Sequence, residues 1–285
     1  MPPFFKGILL LYLISTPIGH LDDCSKRVIE TLLICDLILC EDTRHSKFFL
    51  DHYQIKKPLK SYHKFNEKKE LSVIINLLQE GKNIGLITDA GTPCIQDPGA
   101  LLVKACHAKN IPIRAIPGPC AFAVAISLSG EEQGPFQFIG FLDKKGQALE
   151  KQLLGLLDYD GHSLAYVSPH DIINVLTALE KLAPRRELFL VKELTKLFET
   201  HWIGTAEELN KRFNEHSPRG EFVLMIKKNQ EKEDFSTLSL KDHVQHLEST
   251  FDLSTNEAIK LAAKQRGLSK REVYQTIVNE KNLSS

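Results

Sequence analysis

The sequence predicts an α/β protein of two successive units followed by a helical tail. Three observations carry that reading. Through residue 128, short apolar runs alternate with stretches of helical period, the pattern of parallel strands joined by crossover helices. After Ser129–Pro135, a linker by composition, the same alternation restarts at Phe136 and runs to Ile226. From Leu240 to Leu283 only helical signals remain. The boundaries read from this are 1–130, 131–230 and 238–285, with the charged stretch Lys227–Thr237 as the second linker.

Ile8–Ile14 is the first strand and ends in Ser15–His20. Asp22-Asp23 opens a helix to about Leu33, with Val28, Leu32 and Leu33 on one face. Leu37–Cys40 is a strand ending in Glu41–Ser46, and a helix follows. Glu67–Gln79 is helical, Ile84–Ile87 is a buried strand, and Leu101–Lys109 is helical again. Ile113–Ile116 is a strand running into Pro117-Gly118-Pro119-Cys120, and Ala121–Leu128 reads as a small-residue helix packed close to a neighbour. In the second unit, Phe136–Leu142, His162–Val167, Leu188–Val191, Thr200–Ile203 and Phe222–Ile226 are strands. Leu149–Leu157, Ser168–Leu182 and Ala206–Phe213 are the helices between them. Core candidates in the tail are Leu247, Ile259, Leu261, Ala262, Val273, Tyr274 and Ile277.

The 285 residues carry a formal net charge of zero, so a nucleic-acid site must be a local patch and not a global field. The six cysteines show no CxxC pair and no zinc spacing. Cys24, Cys35, Cys40, Cys106 and Cys120 sit in or against apolar stretches, as buried thiols of a reducing compartment do, and neither a disulfide nor a metal is expected. The apolar run Ile8–Ile14 is too short to span a membrane and lacks a cleavage site, so a cytoplasmic protein is expected.

Four polar or Gly/Pro-rich loops follow strands of the first half, at residues 15–22, 41–46, 89–99 and 117–120. All should open on one edge of the sheet, where α/β proteins bind ligands. None matches GxGxxG or the Walker loop, which disfavours a dinucleotide or a nucleoside triphosphate. A small charged ligand held by backbone groups fits better, with Asp89 for an amine or hydroxyl and Gly91 for close approach. The competing reading of 89–99 is a tight turn with Asp97 capping the next helix. In the second loop, Asp42 could cap its helix while Arg44 pairs Glu41. In the other reading these charges face a reaction site, with Arg44 on a phosphate and Asp42 or Glu41 as proton acceptor. His20, His45 and His63 are secondary candidates for that base.

These loops resemble one bacterial family. Leu13–Asp22 is similar to its opening motif, and the match continues through Cys40–Ser46, Thr88–Pro93 with Asp97-Pro98-Gly99, and Ile116–Ala121. Lys192–Lys196 with Glu199, Arg219-Gly220-Glu221, and the tail from Lys260 to Tyr274 match as well. The family is RsmI, which methylates the 2′-hydroxyl of a cytidine in 16S ribosomal RNA of the small ribosomal subunit, in the decoding centre. The resemblance implies the tetrapyrrole-methylase fold, with S-adenosylmethionine in a cleft between two α/β domains, and a homodimer. It places Thr16, Pro17, Asp89, Gly91, Thr92, Gly118, Cys120 and Ala121 round the cofactor, joined by Ser168 and Gly220 from the second domain. In the functional reading of the second loop, Asp42, Glu41 and Arg44 are the catalytic candidates, with Asp42 the first choice of base.

Two departures stand out. The family's Glu-Ser-Pro-His-Arg is Val167-Ser168-Pro169-His170-Asp171 here, and its Gly-Phe-Leu-Pro is Gly140-Phe141-Leu142-Asp143. Lys260, Lys264, Arg266, Lys270 and Arg271 lie within twelve residues with no acid among them. On two helices broken at Gly267 they could form one basic face for RNA phosphates; the alternative is an ordinary solvated face. Two other functions compete with rRNA methylation: a small-molecule methylase of the tetrapyrrole type, and a non-catalytic RNA-binding relative.

Overall fold

The structure is a computed structural model that describes residues 10–132, 134–213, 218–229, 238–251 and 253–283. It divides into two compact units, Met1–Glu131 with Val191–His201, and Glu132–Leu190 with Trp202–Ser285. The excursion that follows Leu190 is thus counted with the first unit, where the sequence assigns it to the second.

In the first unit, β1 (Leu11–Ile14), β2 (Leu37–Cys40), β3 (Leu59–Ser61), β4 (Ile84–Leu86) and β5 (Ile113–Ile116) form one sheet in the order β3-β2-β4-β1-β5. Every adjacent pair is parallel. The connecting helices are α1 (Lys26–Ile34), α2 (Thr43–His52), α3 (Glu67–Gln79), α4 (Ala100–Ala108) and α5 (Ala121–Leu128). Side chains alternate across the sheet. Tyr12, Ile14, Ile38 and Cys40 pack with Val28 and Leu32 of α1 and Phe49 and Leu50 of α2. On the other face Leu11, Leu39, Ile84 and Leu86 pack with Ile74, Ile75 and Leu78 of α3 and Leu102 and Cys106 of α4. A parallel sheet covered on both faces needs near-continuous apolar strands, and the three central ones, β1, β2 and β4, are of that kind.

Several boundaries differ from the sequence reading. Ile8 and Leu9 lie outside the described residues, and the strand opens at Leu11. Leu21–Asp23 is a separate 3-10 turn; α1 begins only after Ser25, whose hydroxyl accepts from Val28 N at 3.3 Å. The strand β3 has no apolar run to announce it. Helix α5 buries only Ala125, so it is not the closely packed helix expected. Cys24 and Cys120 are half-buried, whereas Cys35, Cys40 and Cys106 are buried; all six are free thiols.

In the second unit, β6 (Phe136–Phe141), β7 (His162–Val167), β8 (Leu188–Lys192), β9 (Thr200–Gly204) and β10 (Phe222–Ile226) form a sheet in the order β6-β7-β10-β8-β9. Here β7 runs parallel to β6 and antiparallel to β10. Helices α6 (Gly146–Leu157), α7 (Ile172–Leu182) and α8 (Ala206–Phe213) supply Leu153, Leu176 and Leu209 to its core. Val167 sits in that core, so this position packs where the family has a carboxylate.

The tail is α9 (Leu240–Phe251), α10 (Thr255–Gln265) and α11 (Lys270–Leu283). It has its own core of Val244, Leu247, Ala258, Ile259, Ala262, Ala263, Val273 and Ile277. Leu261 only flanks this core, and Tyr274 is exposed, contrary to expectation. No helix among the described residues is long and apolar enough to cross a membrane.

Candidate functional site

Because all strands of the first sheet are parallel, the loops after β1, β2, β4 and β5 emerge at one edge. They are laced together there. Thr16 N donates to the Gly91 carbonyl at 2.8 Å, and Gly91 N donates back at 3.2 Å. Thr16 Oγ1 also donates to the Thr88 carbonyl at 3.0 Å. Thr92 Oγ1 donates to the Pro119 carbonyl at 3.1 Å and lies 3.0 Å from Ser15 Oγ. With its own proton directed at Pro119, Thr92 accepts from Ser15. Three loops are joined by three hydroxyls.

Gly91 is required on its φ of +89°. A Cβ there would lie 3.3 Å from Ile18 Cγ2 and 3.6 Å from the Pro119 carbonyl, filling the slot between them. Thr16 and Pro17 are buried, Asp89, Thr92, Cys120 and Ala121 are half-buried, and Gly118 is exposed. The eight first-unit residues assigned to the cofactor are therefore brought to one strand edge, some as framework and some as surface. Ser168 and Gly220 belong to the second unit. Val167 pairs with Phe222, so Ser168 and Gly220 lie at one end of that sheet. Ser168 Oγ donates to Asp171 Oδ2 at 2.6 Å, so the acid at 171 serves the turn ahead of α7.

The second loop is divided in its tasks. Asp42 is the N-cap of α2, accepting from Arg44 N at 2.8 Å. Its two oxygens also take the Arg44 guanidinium, Nε at 3.1 Å and Nη2 at 2.8 Å. Arg44 thus pairs Asp42, not Glu41. That pairing holds the Asp42 carboxyl well below the usual range, which makes it a weak proton acceptor. Glu41 points elsewhere: its Oε1 accepts from the buried Thr88 hydroxyl at 2.9 Å. His45 Nε2 donates to the Asp89 carbonyl at 3.1 Å, a bracing role.

Asp97 is the residue that sequence reasoning misses. It does not cap α4; Gly99 holds that position, with no side-chain bond. Positive φ at Cys94 and Gln96 turns the loop back. The Asp97 carboxyl then reaches the side chains of Glu41 and Thr88. Burial, and after it the Glu41 and Asp89 charges, push its pKa up to about 7. The Asp-Pro-Gly motif itself is the one available signal, since it is also what a cap looks like.

The basic tail residues do not act alike. Arg266 is structural: Nε donates to His243 Nδ1 at 3.1 Å, and Nη2 to the Leu238 and Ser239 carbonyls at 2.7 and 3.3 Å. Lys264 pairs Asp158 at the end of α6. Lys260, Lys270 and Arg271 are exposed.

Residues 10–210 match the family described as Tetrapyrrole (Corrin/Porphyrin) Methylases. The chain is 38% identical over 269 residues to the "Ribosomal RNA small subunit methyltransferase I" of Synechocystis sp., covering 93% of this chain and 96% of that one. It is 39% identical over 271 residues to the protein of that name from Bacillus subtilis, covering 93% and 92%. For the Mycoplasmopsis pulmonis protein of the same name the figures are 45% over 218 residues, 76% and 96%. The uroporphyrin-III-C-methyltransferase of Thermus thermophilus superposes with a TM-score of 0.56 at 17% identity, over 78% of this chain and 95% of that one, a likeness of fold. A cobalt precorrin-4 methyltransferase does so at 0.57 and 17%, over 76% and 94%. On this similarity along nearly its whole length, the chain belongs to the ribosomal RNA small subunit methyltransferase I family, with the tetrapyrrole-methylase fold.

Proposed function

We propose that this methyltransferase takes its methyl group from S-adenosylmethionine and places it on the 2′-hydroxyl of a cytidine in 16S ribosomal RNA. The observation that carries the proposal is Glu41. It sits at the strand edge with one oxygen on the Thr88 hydroxyl and with the Asp97 carboxyl against it. A carboxylate held in this way can accept a hydroxyl proton, a role worth about 10²–10⁴-fold in rate.

The residues present fit the cofactor. The slot at Gly91 between Ile18 and Pro119 admits a ligand where a side chain would block it. Asp89 stands at the same edge as a counter-charge or hydroxyl acceptor, and Thr16 and Thr92 tie the loops to one another by their hydrogen bonds. When bound, S-adenosylmethionine supplies an electrophilic methyl on a sulfonium. The chain's own tasks are alignment of the attacking oxygen, which can supply about 7–11 kcal/mol of the barrier, and removal of its proton by Glu41. Arg44, exposed beside Asp42, is placed to meet a phosphate.

Lys260, Lys270 and Arg271 support RNA binding by the tail, and the family resemblance supports the small ribosomal subunit as substrate and a homodimer as the working form. Mapping 2′-O-methyl groups on ribosomal RNA from parent and deletion strains tests the reading. Loss of one cytidine 2′-O-methyl group, restored by the parent gene but not by a Glu41→Gln version, is expected. An unchanged map, or methylation of a tetrapyrrole by the purified protein, would overturn it.

A further inference from the structure

The three most exposed large apolar side chains among the described residues are Phe65, Leu197 and Phe198, at 94%, 90% and 72%. All three stand at the carboxyl edge of the first sheet. Phe65 leaves from the loop after β3, next to Glu41: Ser61 pairs with Cys40 in register, and its hydroxyl donates to the Glu41 carbonyl at 3.3 Å. Leu197 and Phe198 lie in the excursion between β8 and β9, which packs on the loop after β1. There His20 N donates to Thr195 Oγ1 at 3.1 Å. The approach is so close that a Cβ on Gly19 would meet Lys196 Cγ at 2.5 Å.

Both loops are braced. Asn66 Oδ1 accepts from His63 N at 2.8 Å, Asn66 Nδ2 donates to the Ser61 carbonyl at 3.0 Å, and Phe65 N donates to His63 Nδ1 at 3.3 Å. In the excursion, Glu193 and Thr195 take φ of 54° and 61°, a costly conformation for residues with side chains. Lys196 Nζ pairs Glu193 at 3.0 Å, and the Glu199 carboxylate accepts from Thr195 N. The backbone is held while the apolar tips face water. A single exposed phenylalanine needs no explanation. Three such side chains, on two braced loops flanking the strand edge that carries Glu41 and Asp89, form a pattern.

We propose that these two tips are stacking platforms for unpaired bases of the RNA strand on either side of the nucleotide being methylated. The proposal rests on the RNA-methylation reading. Bases offer a π-face of any sequence to an aromatic ring, and the unpaired bases of loops and single strands are the ones that proteins stack on aromatic side chains. From β3 to β1 is three strand spacings, about 14 Å, with the Glu41 and Asp89 strands between. The cation beside Phe65 in sequence, Lys64, is exposed and suits a phosphate, and Arg44 is exposed at the neighbouring strand end, where it shares its charge with Asp42.

The test is binding of labelled, unmodified small-subunit ribosomal RNA to the full chain at several salt concentrations. Phe65→Ala and Phe198→Ala should each weaken binding by about 5- to 100-fold, the loss of one base–aromatic stack. The salt slope and S-adenosylmethionine affinity should not change, and Phe65→Tyr should bind like the parent. Arg44→Ala is the contrast, since losing a phosphate contact flattens the salt slope. Both exposed positions can be changed without touching the core, so folding is not at stake. Parent-like binding by both alanine variants would overturn the platform. So would sedimentation showing that they dissociate an oligomer while RNA affinity per chain stays the same. A parent protein that neither binds nor methylates this RNA would remove the underlying reading, and the platform with it.

Discussion

Thr16 and Gly91 exchange both of their backbone hydrogen bonds, and this two-residue bridge joins the loop after β1 to the loop after β4. Gly91→Val should act on both structure and ligand. A β-branched residue at φ +89° costs of order 1–3 kcal/mol in backbone strain, and its side chain fills the slot beside Ile18. S-adenosylmethionine affinity is expected to fall at least about tenfold, or about 1.4 kcal/mol. Calorimetry on protein shown to be folded by its melting temperature checks this. Unchanged affinity would remove Gly91 from the cofactor site.

Glu41 and Asp42 are adjacent but differ in commitment. Asp42 is occupied by Arg44 and by the start of α2, and Asn can serve as the cap in its place. Single-turnover methylation by Asp42→Asn, with RNA and cofactor saturating, should stay within about threefold of the parent. Glu41→Gln should lose about 10²-fold or more. The reverse ranking would return the base to Asp42.

The Asp97 carboxyl makes stability depend on pH. Its folded pKa is raised from 3.8 to about 7 by burial and by Glu41, Asp89 and their surroundings. Between those values the folded state holds a proton that the unfolded chain has released, so stability falls as pH rises from about 4 through 7. Asp97→Asn carries no such proton. Its melting temperature should be flatter over this range and higher than the parent's at pH 8. A parent-like slope in the variant would show that Asp97 is not the group responsible.

In the tail, cations on the surface and cations in the frame should separate. Replacing Lys260, Lys270 and Arg271 together by Ala should lower the salt slope of RNA binding by about 2–3, with melting unchanged. Arg266→Ala should instead destabilise the helical tail by about 1.5–3 kcal/mol, the value of hydrogen bonds made by a charged group. Its partner His243 has a pKa lowered by burial and then by Arg266. The stability that neutral His243 contributes is therefore full above pH 6.5 and declines as pH falls below it. Hydrogen exchange in α9 and α10 at pH 5.5 and 7.5 reads both effects.

The strand–helix alternation is legible in the sequence because a buried parallel sheet demands unbroken apolar strands, as Leu37–Cys40 and Ile84–Leu86 show. The loops at the sheet edge follow from that alternation alone. What stays hidden is set by tertiary context. Leu59–Ser61 becomes a strand only because Leu37–Cys40 pairs with it. Asp97 turns back on Glu41 through left-handed Cys94 and Gln96, residue types that give no sign of it. Arg266 and Lys260 look alike on a charge map, and only the fold sends one inward to His243.

The excursion after Leu190 has a bearing on how the chain is made. The first unit runs to Glu131 and is completed by Val191–His201, about sixty residues further on. A ribosome translating this protein synthesises the whole of the first sheet well before the segment that covers Gly19. Folding of that unit therefore has a late step, closure of a long loop, whose entropic cost grows only slowly with length but must be met before the contact exists. A nascent chain halted at residue 190 would carry all five strands of the first sheet, with the shelf at Gly19 and His20 still bare.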